Sequence, residues 1–123
     1  MKKLLLFGLL FAGMITGVYA ASLEDTQFQQ YVELTRKNAD NPAGMTVTAD
    51  NKYRIIYIAM PLSANKSSIT PEVKKAMLDA MLQEMRKQDA DRKVIKDLKI
   101  NLVYNFITSD KNIVTIPISF NDI

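Results

Sequence analysis

The spacing of apolar residues changes back and forth along this chain between a helical period and a period of two, and those changes rule out both an all-helical bundle and a pure β-sandwich. From Ser22 onward Phe28, Tyr31, Val32 and Thr35 recur at helical spacing, which predicts a first helix to Asn38, ended by Asn41-Pro42-Ala43-Gly44. Met45-Thr46-Val47-Thr48 then alternates, Asp50-Asn51 can turn, and Tyr53 to Leu62 is a β-branched and aromatic run. These predict a hairpin.

Thr70-Pro71-Glu72 combines an N-cap hydroxyl, a proline at the first helical position and an acid in the first turn. The helix it starts is read to about Gln88. Val73, Ala76, Met77, Ala80 and Met81 share one side, and Leu78, Leu82 and Met85 widen the apolar arc. A charged connector, Gln88 to Lys93, follows, with room for a helical turn through Val94 and Ile95. Beyond it Ile100, Leu102, Tyr104 and Phe106 alternate with Asn101, Val103, Asn105 and Ile107, and Ile113 to Phe120 returns after a turn at Ser109-Asp110-Lys111-Asn112. Pro117 cannot donate to a ladder, which places the last strand at an edge. The expected fold is α+β, order α-β-β-α-β-β: a four-stranded, largely antiparallel sheet with two helices packed on one face.

Two domain-level segments follow from the N-terminus. Lys2-Lys3, the 12-residue apolar run Leu4 to Ile15, and Val18-Tyr19-Ala20 before Ala21 match a cleavable export signal over residues 1–20, leaving 21–123 as a single domain. The apolar run is shorter than the roughly 20 residues that span a bilayer, so no stable membrane anchor is expected after cleavage. The short Lys-Lys start resembles bacterial signals, and the expected location is the periplasm. Asn65-Lys66-Ser67 matches a glycosylation sequon that carries no expectation there. Lys2 and Lys3 account for 2 of the 16 basic residues, so 14 face 13 acids in the remainder, a net charge of +1. Without a basic block, no nucleic-acid partner is expected.

The chain contains neither His nor Cys. That excludes Ser-His-Asp and Cys-His catalysis, His or thiolate zinc sites, iron-sulfur clusters, disulfides and a lipid-bearing cysteine. Ser63-Ala64-Asn65-Lys66 matches the Ser-x-x-Lys of penicillin-recognising enzymes, but the companion Lys-Thr-Gly is missing and Ser109-Asp110-Lys111 departs from Ser-Asp-Asn. Asp89-Ala90-Asp91 starts like a calcium loop, yet Val94 replaces the required glycine and Ile100 the twelfth-position acid. A glycosidase-type carboxylate pair needs neither missing residue, but Glu24, Asp25, Glu72 and Asp79 sit where capping, helix dipoles and solubility account for them; Glu84 sits at the rim of the apolar arc.

The reading is therefore a non-enzyme with no cofactor and no metal site, acting by binding another protein as an inhibitor or an immunity protein against an envelope-targeting toxin does, with a homodimer as one form of partnership. The alternative is a periplasmic binder of a small ligand or envelope component, with a pocket between sheet and helices and Tyr53, Tyr57 or Tyr104 orienting the ligand. The partner-binding candidates are Ile56, Ile58 and Met60 on the second strand, Met85 on the wide-arc helix, and Val103 and Ile107 on the far side of the third strand.

Overall fold

The computed structural model describes residues 20–38 and 45–123. The proposed export signal, residues 1–20, falls outside them except for Ala20, as does the Pro42–Gly44 helix stop. The elements in chain order are α1 (Ala20–Asn38), β1 (Thr46–Asp50), β2 (Ile55–Pro61), a 3₁₀ turn (Lys66–Ser68), α2 (Pro71–Arg86), α3 (Asp89–Asp97), β3 (Asn101–Ile107) and β4 (Ile113–Ile118). The four strands form one sheet in the order β1-β2-β3-β4. It is an α+β fold with one four-stranded sheet, as the sequence predicts.

Two features differ from expectation. The β1–β2 and β3–β4 pairs are antiparallel hairpins, but the central β2–β3 pair is parallel, from Ile55 opposite Asn101 to Pro61 opposite Ile107. The sheet is mixed. The cause is the single pass of α2 between the hairpins: 16 residues at 1.5 Å span about 24 Å, close to the roughly 23 Å of seven-residue β2, so the helix carries the chain back to the end where β2 began. The second difference is a third helix, since the charged connector folds as α3. Asp89 and Asp91 occupy its first turn, Asp89 pairs with Arg92 (3.0 Å) and Asp97 with Lys93 (3.1 Å), and the apolar positions that remain place Ile95 and Leu98 in the core.

Local chemistry accounts for the boundaries. The Thr70 hydroxyl accepts from the Val73 N–H (3.3 Å) ahead of Pro71, as the sequence predicts for the start of α2. In the β1–β2 turn the Asp50 carboxylate accepts from the N–H groups of Lys52 (2.9 Å) and Tyr53 (3.1 Å). Arg54, with φ 55°, completes that turn in the left-handed region.

One face of the sheet is covered. Val47, Ile56, Ile58, Leu102, Phe106, Val114, Ile116 and Ile118 point into a core shared with Phe28, Tyr31 and Val32 of α1 and with Ile95, Leu98 and Ile100. In β4 the alternation is complete, with 114, 116 and 118 buried and 113, 115 and 117 exposed. Pro117 sits in that edge strand, as its missing N–H requires.

Candidate binding surfaces

Among the described residues, no helix covers the other face of the sheet. The strand register arranges it in cross-strand rows: Thr48, Tyr57, Val103 and Pro117 form one, Thr46, Ala59, Asn105 and Thr115 the next, and Ile107 opposite Ile113 ends the face beside Pro61. Within the polar row the Thr115 hydroxyl donates to Asn105 Oδ1 (2.7 Å). None of these side chains is charged; the nearest charge in the strands is Asp50, at one corner in register with Ile55. Ile107 and Ile113 are 41% and 56% exposed, among the most exposed large apolar side chains described. An uncharged, half-apolar surface of this kind can dock a neutral, apolar surface at little desolvation cost.

On the helical side lies a groove of about 380 Å³ between α2 and the sheet. Met60 of β2, Tyr104 and Phe106 of β3, and Ala80, Met81, Glu84 and Met85 of α2 line it. The rings of Tyr104 and Phe106 are nearly parallel, with centroids 6.2 Å apart, because residues two apart on a strand share a face. The groove exists because α2 lies loosely on the sheet: none of its 16 residues is buried, and Met77, Leu78, Met81, Leu82 and Met85 are only partly covered.

Near the groove, α1 and α3 are joined by the Tyr31 hydroxyl donating to Asp91 Oδ1 (3.1 Å). Burial pushes the Tyr31 and Tyr104 hydroxyls up, and the Asp91 charge adds to both shifts. Burial likewise raises Asp91, against the lowering effect of the hydrogen bond from Tyr31. Glu84 is the one carboxylate lining the groove, so the described residues do not supply the second acid a glycosidase pair would need there. No group of three or more acidic side chains among the described residues could hold a metal ion.

The candidate residues scatter over three environments. Ile56 (0% exposed) and Ile58 (4%) are core residues beneath the helices, so they cannot serve as a contact surface. Strand β2 is apolar on both sides, and periodicity alone could not say which side the helices cover. Met60 and Met85 come together across the groove, while Val103 and Ile107 lie on the open face. Of the tyrosines weighed for ligand orientation, Tyr104 lines the groove, Tyr57 lies on the open face and Tyr53 is exposed in the β1–β2 turn. The Ser63–Lys66 segment forms a latch instead: the Ala64 carbonyl accepts from the Ser109 N–H (2.8 Å) and Asp110 Oδ1 from the Lys66 N–H (3.1 Å). The Tyr31–Asp91 link was not foreseen, because it joins positions 60 apart that no local pattern relates.

Comparisons with family models, with curated proteins and with solved structures found no match. Among the described residues no helix is long and apolar enough to cross a membrane. Function has to be argued from these surfaces.

Proposed function

We propose that this protein is a small, exported, non-enzymatic binding protein of the bacterial periplasm that engages another protein through the open sheet face, in the manner of an inhibitor or an immunity protein. One observation carries the reading: across four strands that face displays Tyr57, Val103, Ile107, Ile113 and Pro117 among short polar residues, with Asp50 at one corner as its single strand charge, in a chain where 24% of residues are charged. A face with only solvent against it tolerates Lys and Glu, and their exclusion from every row supports contact with a partner. Edge addition is disfavoured at both ends of the sheet, since Pro117 lacks a donor on β4 and on β1 the Val47 carbonyl already accepts from Arg36. The partner therefore meets the sheet face-on.

A photo-crosslinking residue at position 113, introduced in cells that make the protein, should yield one discrete adduct, and Val103→Asp with Ile107→Asp should abolish it while leaving the circular dichroism spectrum unchanged. Crosslinking that survives the double substitution, or an adduct obtained equally from position 75 on the exposed part of α2, refutes the assignment. Export is tested separately, by recovering the protein from the periplasmic fraction with its N-terminus at Ala21.

A further inference from the structure

The groove on the helical side has a chemistry of its own, independent of the sheet-face reading. Three of its walls are thioethers: Met81 and Met85, one turn apart on α2, face Met60 across from β2. Its floor is the near-parallel pair of rings of Tyr104 and Phe106. The one charged lining group is the carboxylate of Glu84, and no Lys or Arg among the described residues lines the groove. Apart from the Tyr104 O–H, the polar and polarisable lining groups are electron donors.

Alternatives to a cation fit this lining poorly. Anions would find no positive partner. A hard cation such as Mg²⁺ or Ca²⁺ needs several oxygen ligands, and the groove offers one carboxylate. Thioether sulfur is a soft, neutral donor that selects soft cations, Cu(I) above all, and aromatic faces attract a cation held within about 6 Å. Choice of residue along α2 points the same way. Leu78, Leu82 and Met77 lie outside the groove lining, and both longer apolar residues that α2 gives to the groove, Met81 and Met85, are methionine. Packing alone would accept leucine in those places.

We infer that Met60, Met81 and Met85 form a binding site for a single soft monovalent cation, Cu(I), with the Tyr104 and Phe106 rings as its floor and Glu84 at its rim. A chain without His or Cys has no imidazole or thiolate to outcompete the thioethers for the ion. Each methionine has three rotatable side-chain bonds, so sulfurs from two elements can close on an ion entering from the open side of the groove. Because α2 buries no residue, it can settle toward the sheet as they do so.

The test uses the full chain with ¹³C-labelled methionine methyls, assigned by single Met→Leu variants, and Ag(I) as a redox-inert probe. Three methyl resonances, those of Met60, Met81 and Met85, should shift and saturate at one equivalent while Met45 stays in place. Under anaerobic conditions the chain should withdraw Cu(I) from a chromophoric chelator, and Met81→Leu/Met85→Leu should weaken that competition by about tenfold or more, a scale on which even outer partners of a metal matter. Silent groove methyls, a Met45 shift at the same silver concentration, or undiminished competition by a folded double variant overturns the site. If the double variant does not fold, Met60→Leu, on a different element, gives the same reading.

Discussion

α1 and α2 cover the same face of one sheet in different ways. α1 buries Phe28 completely and Tyr31 and Val32 almost so, while α2, only three residues shorter, has no fully buried residue. Polar contacts sharpen the contrast. Arg36 of α1 donates to the Val47 carbonyl from Nε (3.3 Å) and Nη2 (3.1 Å), Asp25 accepts from Arg54 (2.8 Å) beneath whose guanidinium lies the Phe28 ring, and Tyr31 reaches Asp91. For α2 the tie beyond its apolar arc is Arg86, which donates to the Asp122 carbonyl (2.6 Å). Amphipathicity sets which way a helix faces; anchoring at its ends sets how closely it seats.

The largest effect that would expose this difference is truncation in the two halves. Phe28→Ala should cost about 3–5 kcal/mol in urea unfolding, as expected for a fully buried aromatic, while Met81→Ala should cost about 1–2 kcal/mol, because its site is already half open. Equal losses would erase the distinction. In the intact protein, backbone amides in α2 should exchange with deuterium well ahead of those of α1 around Val32.

Next in size is the pin between α1 and α3. Tyr31→Phe keeps the ring but removes the donor to Asp91, with an expected loss of about 0.5–1.5 kcal/mol, and exchange in α1 should accelerate toward that of α2.

The smallest effect is one of pH. The folded-state pKa of Asp91 is raised by burial, so the stability linked to it is fully present below the ordinary carboxylate value and is lost as pH rises through the folded value. Asp91→Asn retains an acceptor for Tyr31 and should remove that decline from the stability–pH curve. Asp110, lowered chiefly by the Thr108 hydroxyl and by the Lys66 N–H, runs oppositely: its stabilisation is present above the ordinary carboxylate value and disappears as pH falls through the folded one. Asp110→Asn should therefore flatten only the acid limb. Calorimetric midpoints between pH 3 and 8 separate the two.

What the sequence made legible was local. The capped start of α2, the alternation of β3 and β4, the edge position of Pro117 and the outward direction of Val103, Ile107 and Ile113 all follow from residues within a few positions of one another. Features that escaped needed two distant segments at once. The parallel β2–β3 pair depends on how often the chain crosses the sheet, and the inward direction of Ile56 and Ile58 depends on that pairing. Met81 and Met85 form a stripe that can be seen at i, i+4, but Met60 joins them only through the sheet. Helix α3 is readable in part, since Val94 and Ile95 allow a helical turn while the charges around them read as a solvated link.

The parallel centre of the sheet also sets an order of events. Each hairpin can close within its own stretch of chain, but the seam between them joins Ile55 to Asn101, 101 − 55 = 46 positions away, and carries the greatest loop-closure cost in the sheet. Synthesis runs N-terminus first, so both strands of the first hairpin exist well before β3 can reach β2, and the complete sheet waits on that late arrival.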